Sequence, residues 1–164
     1  MSRDAAMVED ARFEDGAERP LRLRAESAED VAVVAALLQD AVAQTSEITW
    51  APRHRRFSLL LNRFRWEDVP AAERQGRSFE RVRAVLAIDD VARARALGID
   101  SADRDLVLEL LTILFEPGED GAGRLRLIFA GDGEVALDVE CVDIRLVDVT
   151  RPYLANSLPR HPDA

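Results

Sequence analysis

Apolar and polar residues alternate along most of this chain, which is the period of β-strands and not of helices. In the stretch Arg55–Glu67, the apolar residues before Asn62 occupy odd positions except for Leu60, and those after it, Phe64 and Trp66, occupy even positions. One extra residue flips every later side chain to the other face of a strand. The pattern therefore predicts either a β-bulge near Asn62–Arg63 or a strand that passes from a core-facing to an edge position.

The same alternation predicts further strands. They are Leu21–Arg24, Glu47–Ala51, Arg81–Ile88, Arg124–Ala130 and Glu134–Cys141. Val91–Leu97 is open to two interpretations, because alternation favours a strand whereas its alanine and arginine content favours a helix. We favour the strand, since the turn Asp89–Asp90 before it suggests another hairpin. Leu106–Phe115 is apolar on both faces, which predicts a central strand covered on both sides and the most buried strand of the chain.

One helix is predicted over Ser27–Ala43. Ser27 is a typical N-cap, and acidic residues follow it in the first turn. The apolar residues after it have helical spacing and form one stripe: Val31, Val34, Ala35, Leu38 and Val42. We expect the helix to end near Gln44–Ser46 and Val69–Ser78 to be a polar connection.

The C-terminal hairpin allows a prediction of register. Its apolar residues occupy odd positions on both strands, so the numbers of paired residues must add to an even value. A three-residue loop, Gly131–Gly133, satisfies this condition and pairs Arg126 with Asp138. The same register pairs Arg124 with Glu140, which makes Asp138 and Glu140 ion-paired surface carboxylates and not a catalytic dyad. One loop glycine, Gly133 rather than Gly131, is expected to have a positive φ.

Together these elements predict an α+β fold. Seven or eight mostly antiparallel strands form a bent, barrel-like sheet, and the main N-terminal helix packs on one face or closes one end. The bends are expected at the two changes of phase, Asn62–Arg63 and Cys141–Val142. The single domain covers residues 19–149, between a mobile acidic tail at residues 1–18 and an irregular proline-containing tail at residues 150–164.

Four short motifs carry a resemblance to a known family. They are LLQDAV at Leu37–Val42, LNRFRWE at Leu61–Glu67, FEPGE at Phe115–Glu119 and FAGDGEVALDVEC at Phe129–Cys141. With these motifs the chain resembles a bacterial family known as domain of unknown function 2948. The resemblance implies a small cytosolic protein and provides no activity and no catalytic residues.

Composition narrows the class of protein. The formal net charge of −9 repels nucleic-acid phosphates and anionic membranes on average, although all 22 basic residues are arginine. The chain has one cysteine, no apolar stretch of membrane-spanning length and no apolar segment typical of a secretory signal at its start. These features predict a cytoplasmic protein that has no membrane association.

Few residues could support catalysis or metal binding. The metal ligands other than carboxylates are Cys141, His54 and His161, so we expect no metal site and no cofactor. A Cys141–His54 nucleophile pair is possible, but a cysteine among apolar strand residues is more often a small buried hydrophobe. Acidic residues cluster in the loops at residues 89–90 and 100–105 without an EF-hand pattern. An enzyme with a carboxylate-based site remains an alternative, and a non-enzymatic protein is favoured.

The remaining candidate is a binding surface between residues 50 and 66, where arginines and aromatic residues interleave. Its proposed members are Trp50, Arg53, Arg55, Arg56, Arg63, Arg65 and Trp66. This pattern is typical of a protein interface, of a platform for single-stranded nucleic acid, and of a half-buried strand with ion-paired arginines. We expect a non-enzymatic protein-interaction or adaptor module of the bacterial cytoplasm with an unidentified protein partner. Binding of an anionic ligand or RNA through this strand is the alternative, and nucleic acid is disfavoured by the charge.

Overall fold

The structure, a computed structural model, describes residues 19–100 and 102–155. Within these residues the strands are β1 (Arg22–Ala25), β2 (Ala41–Gln44), β3 (Ile48–Ala51), β4 (Arg56–Phe64), β5 (Glu80–Ile88), β6 (Val91–Leu97), β7 (Val107–Pro117), β8 (Gly123–Phe129), β9 (Glu134–Val139), β10 (Ile144–Asp148) and β11 (Tyr153–Leu154). The helices are α1 (Ala28–Leu37) and α2 (Val69–Gln75). Short 3₁₀ turns occupy Thr45–Glu47, Pro52–His54 and Trp66–Asp68.

All strand pairs are antiparallel and belong to one sheet with the order β1-β10-β5-β4-β2-β7-β8-β9-β6. β3 adds to the side of β4 and β11 adds to the side of β5. The predicted α+β class with a mostly antiparallel sheet is therefore confirmed. The sheet has eleven strands instead of seven or eight, and it is not closed into a barrel, because β6 pairs with β9 alone.

The sheet bends around a single hydrophobic core. Buried residues from all nine strands of that path and from α1 belong to one cluster. Leu59 of β4, Leu86 of β5, Leu127 of β8 and Leu137 of β9 are each at most 1% exposed within it. A core of this kind stabilises both halves of the bent sheet against each other through burial of apolar surface.

Helix α1 begins as predicted and ends earlier than predicted. The Ser27 side chain accepts a hydrogen bond of 3.2 Å from the Asp30 backbone N–H, which is the expected N-cap contact. The helix stops at Leu37, and Asp40, with φ of 64°, reverses the chain. Residues 41–44 then pair with β7 as strand β2. The helix predicted from sequence is too long. Buried Ala41 and Ala43 alternate with exposed or half-buried residues, which is the period of a strand and not of a helix.

Strand β4 contains no bulge on its β5 side. Its register with β5 is continuous from Phe57 opposite Ile88 to Phe64 opposite Arg81. The side chains of β4 alternate without interruption, so Arg63 lies on the same core-facing side as Leu59 and Leu61. Phe64 lies on the other face and makes edge-to-face contacts with the rings of Trp66 and Phe79. The region predicted as a polar connection forms α2, which begins immediately after the Trp66–Asp68 turn.

The remaining strands confirm the predicted alternation and correct its details. β6 is a strand, but it pairs with β9 and forms no hairpin with β5. β7 is not covered on both faces, because Leu108 and Leu110 are buried whereas Val107 and Leu114 are 61% and 44% exposed. Of the chain ends, Tyr153–Leu154 pairs with β5, and residues 1–18 and 156–164 lie outside the described residues.

The β8–β9 hairpin has the predicted faces and a register shifted by two residues. Arg126 lies opposite Ala136, and Arg124 lies opposite Asp138. Phe129 donates its N–H to the Gly133 carbonyl at 2.8 Å, so the three-residue loop is Ala130–Asp132. Positive φ occurs at Gly131 and Asp132 and not at Gly133. Parity could not distinguish registers that differ by two residues, since both place the same residues on the core face.

Candidate binding cleft

The residues of the predicted binding surface do not form one surface. Trp50 pairs with Phe57 near the start of β4, whereas Arg65 and Trp66 follow its end. Seven residue steps separate Phe57 from Phe64, which is about 23 Å at about 3.3 Å per residue. The two ends therefore belong to different environments and need separate descriptions.

At the far end of β4, Arg63 is completely buried and fully paired. Its Nε and Nη2 donate to the two carboxylate oxygens of Asp148 at 2.9 Å, and its Nη1 and Nη2 donate to Glu67 at 2.9 and 2.7 Å. Burial alone would lower the pKa of Arg63, but the hydrogen bonds that it donates to Glu67 and Asp148 raise its pKa above the ordinary value. Arg63 is thus a buried ion-paired residue and is not available to bind a partner.

Arg65 is also buried, at 4% exposure, and belongs to a neighbouring cluster with Asp68, Arg77 and Glu80. Arg77 donates two hydrogen bonds of 2.6 and 2.8 Å to Asp68, and these are the main cause of the lowered pKa of Asp68. Burial raises the pKa of Glu80, because the surroundings disfavour its charged form. This cluster ties the end of β4 to α2 and to the start of β5.

At the near end of β4, the arginines are on the surface. Arg55 pairs with Glu140, and Arg56 Nε lies 2.7 Å from Asp89 Oδ1. Arg53 is exposed and forms no ion pair with a described residue. Exposed pairs of this kind contribute little to stability, so Arg55 and Arg56 are free to exchange partners.

Beside this end the structure contains a cleft, which we call the β3–β6 cleft. It lies between the edge of β3 that does not pair with β4 and the edge of β6 that does not pair with β9. Its volume is about 490 Å³. The lining residues are Thr45, Ile48, Trp50, Phe57, Ala94, Arg95, Ala96, Ile99, Arg104 and Val135. Most of them are apolar, and Phe57 and Val135 belong to the hydrophobic core, so the cleft is the place where the core is not covered by a strand.

Two backbone hydrogen bonds link β6 and the connection after it to the segments that precede β4 and β3. The Val91 N–H donates to the Arg55 carbonyl at 2.9 Å, which joins the start of β6 to the turn before β4. The Ser46 N–H donates to the Arg104 carbonyl at 3.0 Å, which joins the connection after β6 to the turn before β3. The cleft is consequently a slot between β3 and β6, and these two bonds connect the segments on its two sides.

Gly98 sets the path of the chain at one wall of this slot. Its φ is +68°, and a Cβ atom there would lie 2.7 Å from the backbone oxygen of Asp132. Only glycine accommodates both the left-handed conformation and this close approach. The next residue, Ile99, packs beside Gly133 and lines the cleft, so Gly98 places an apolar side chain in the wall.

Two cations lie in the lining without an anionic partner. Neither Arg95 nor Arg104 forms an ion pair with any residue in the described part of the chain, and both are exposed. Most other arginines near carboxylates are paired, as Arg124 is with Asp138 and Arg126 with Glu134. In a chain of net charge −9, these two arginines, which have no ion pair among the described residues, place positive charge beside an apolar cleft.

The second cavity of comparable volume, about 440 Å³, differs in this respect. It lies where β2 leaves β4 and is lined in part by Asn62, Arg83 and Tyr153. Arg83 faces Glu47 at 3.8 Å, and the Asn62 amide donates to the Tyr153 hydroxyl. The charged pair and the Asn62–Tyr153 pair thus already bind one another across this cavity.

The residues with catalytic potential lie outside the cleft. Cys141 is exposed and not buried as predicted from sequence, and its Sγ lies 3.2 Å from Asp90 Oδ2. The Asp90 carboxylate raises the pKa of this thiol, so the reactive thiolate is disfavoured. Within the ranges 19–100 and 102–155, no group of three or more His, Cys, Asp or Glu side chains is arranged to hold a metal ion.

Of this site, sequence reasoning found Trp50 and missed Phe57, Ile99, Arg95 and Arg104. The signal was present in Val91–Leu97, where alanine and arginine alternate. Small residues on the core-facing side of a strand leave space above it, and this space became part of the cleft. Which strand would lie opposite could not be read from the sequence.

The comparisons with known proteins give a family and no activity. A family model described as "Protein of unknown function (DUF2948)" matches residues 21–161. The chain belongs to this family. No curated protein and no solved structure matches the chain significantly, so the family assignment rests on this model alone. Neither described helix is long and apolar enough to cross a membrane.

Proposed function

We propose that this member of the family is a non-enzymatic protein-interaction module that holds an extended segment of a partner protein in the β3–β6 cleft. The observation that carries the proposal is the open sheet at this position. Apolar side chains that would be covered in a closed sheet remain accessible here, among them those of Ile48 and Trp50. Water in contact with such surface is displaced favourably by an apolar partner.

The shape of the cleft supports an extended ligand. Residues of β3 and β6 line it, and the Val91–Arg55 and Ser46–Arg104 hydrogen bonds link β6 and the connection after it to the segments that precede β4 and β3. Peptides in extended conformation commonly bind at sheet edges, where the backbone provides affinity and alternate side chains provide specificity. The volume of about 490 Å³ lies within the range of ordinary ligand sites.

A small anionic ligand is the second candidate, and Arg95 and Arg104 favour it, because together they could hold one carboxylate or phosphate group. RNA is a weaker candidate, since the net charge of −9 opposes a polyanion and Arg63 and Arg65 are buried. A carboxylate-based enzyme finds little support, because no aspartate or glutamate lines the cleft.

The location of the protein is part of the proposal. We infer the bacterial cytoplasm from the single cysteine, which allows no disulfide bond within the chain. Fractionation of cells that produce the protein at its natural level tests this inference, and recovery in a secreted or membrane fraction would contradict it.

The experiment for the binding function is a selection with a phage-displayed library of random nine-residue peptides on the immobilised full chain. The critical variant is Ala96→Trp, which places a large side chain in the cleft at an exposed alanine. Ala32→Trp is the matched control, because Ala32 is an exposed alanine of helix α1 outside the cleft.

Peptides that bind the wild type and Ala32→Trp but not Ala96→Trp would support the proposal. Recovery of peptides that bind all three proteins equally, or of none, would contradict it. A folded state for both variants is checked by the urea midpoint, so that loss of binding is not confused with loss of structure.

A further inference from the structure

We infer that the segment held in the cleft adds as a strand to β6 and alternates apolar with acidic side chains. This inference rests on the proposed function and specifies its ligand. Three observations lead to it: the free edge of β6, the division of its side chains between two faces, and the absence of anionic partners for its arginines.

The edge of β6 toward the cleft has unused backbone groups. β6 pairs with β9 on one side only, from Val91 opposite Val139 to Leu97 opposite Glu134. In an antiparallel pair, alternate residues direct their N–H and C=O groups away from the partner strand. Beyond Val91, whose N–H is bonded to the Arg55 carbonyl, these groups form a template for one more strand.

The two faces of β6 prescribe two kinds of side chain on an added strand. Ala94 and Ala96 lie opposite buried Leu137 and Val135, so they belong to the core-facing side. Their small side chains leave space that an apolar residue of the added strand would fill against Ile48 and Trp50. Alternate residues of the same strand would then stand on the solvent face with Arg93 and Arg95.

Charge determines what those solvent-facing residues are. Arg93 lies opposite Asp138, but the Asp138 carboxylate is held by Arg124 at 2.8 Å. Arg93, Arg95 and Arg104 form no ion pair with any residue that the structure describes. Unlike charges that lie directly opposite each other stabilise neighbouring strands. Glutamate or aspartate is therefore favoured at the solvent-facing positions of the added strand.

The same charges argue against a second copy of this chain as the occupant. Pairing β6 with β6 of another copy would bring Arg93 and Arg95 toward the same two arginines. Like charges across a ladder are destabilising. A segment of another protein that alternates acidic and apolar residues therefore pairs with this edge more favourably than a second copy of β6 does.

The test begins with the sequences recovered in the library selection on the full chain. We expect an alternating pattern of apolar and acidic residues over at least five positions. A synthetic, terminally blocked nine-residue peptide of alternating glutamate and valine then serves as the probe. Matched peptides with glutamine in place of glutamate, or serine in place of valine, separate the contributions of charge and apolar contact.

Two variants test the arginines. Arg93→Ala/Arg95→Ala should weaken binding of the glutamate–valine peptide at least about tenfold. Arg22→Ala is the control, because Arg22 is an exposed arginine without an ion pair on β1, the strand at the other end of the sheet order. Hydrogen exchange completes the test, since an added strand must slow the exchange of β6 backbone amides that are free in the unbound protein.

Each outcome has a separate meaning. Alternating acidic peptides, tenfold loss in the double variant and slowed exchange along β6 would support the inference. Cleft-dependent peptides that lack acidic residues, or that leave β6 exchange unchanged, would overturn it while the proposed binding function stands. No peptide dependent on the cleft would overturn both.

Discussion

The two ends of β4 present arginines beside aromatic rings, and the structure places them in opposite environments. At the far end, Arg63 is completely buried and bonded to Asp148 and Glu67. At the near end, Trp50 lines a cleft whose other wall carries Arg95, which forms no ion pair within residues 19–100 and 102–155. A buried charge must be paired to be tolerated, whereas an exposed charge beside apolar surface is available to a ligand. The number of ion-pair partners thus distinguishes an arginine that stabilises the fold from an arginine that is available to a ligand.

The strongest test of this comparison is Arg63→Ala. The substitution leaves the buried carboxylate of Asp148 without its partner, and we expect a loss of about 3–5 kcal/mol in the free energy of unfolding. Urea denaturation measures it. If Arg63 belonged to an accessible binding surface, as the sequence pattern predicts, its removal would leave the urea midpoint nearly unchanged, and that result would contradict the structural role.

A second test compares the two faces of β7. Leu110→Ala should cost about 2–5 kcal/mol, because Leu110 is 1% exposed in the core. Leu114→Ala removes the same atoms from a position that is 44% exposed and should cost less than about 1 kcal/mol. Equal costs in urea denaturation would show that both faces of this strand are covered.

A third test addresses the wall of the cleft. Gly98→Ala and Gly76→Ala both place a Cβ at a left-handed position, and Gly76 has no atom within 4 Å of that Cβ. Gly76→Ala should therefore cost about 1 kcal/mol. Gly98→Ala should cost about 1–3 kcal/mol more, since its Cβ overlaps the Asp132 carbonyl. It should also displace Ile99 and weaken peptide binding, which calorimetric titration would detect.

A fourth test concerns pH at the paired end of β4. Arg77 lowers the pKa of Asp68, so Asp68 stabilises the folded state above its unfolded pKa, which is near 3.8. That contribution is lost as the pH falls through the lowered folded pKa. Asp68→Asn should therefore reduce stability at neutral pH and flatten its decline on acidification. Glu119→Gln, in an exposed turn, is the control, and a similar profile for both variants would contradict the assignment.

The smallest effect on stability is expected at the cleft itself. Arg95→Ala/Arg104→Ala should change the free energy of unfolding by no more than about 0.5 kcal/mol, since neither side chain has an ion pair in the described residues. Binding of cleft-dependent peptides should nevertheless decrease. A loss of stability comparable to that of Arg63→Ala would erase the distinction between the two ends of β4.

The sequence alone located several elements of local structure, although it missed β2 and α2. Alternation located β5, β8 and β9, and the Ser27 cap located the start of α1. These features depend on residues close together in the chain, whose period and capping are encoded locally. Parity also gave the correct faces of the β8–β9 hairpin, although it left the register open by two residues.

The tertiary structure alone decided which strands are neighbours and hence where the site lies. The phase change at Asn62 had two interpretations from sequence. The structure shows that Arg63 lies on the core side because it is paired with Asp148, from a distant segment, and with Glu67, from an adjacent one. Likewise, nothing in Val91–Leu97 indicates that its free edge faces β3 across a slot. The packing of the whole sheet around its core determines which strands are neighbours. The packing energy depends on residues far apart in sequence, so the pattern along the chain does not reveal these neighbours.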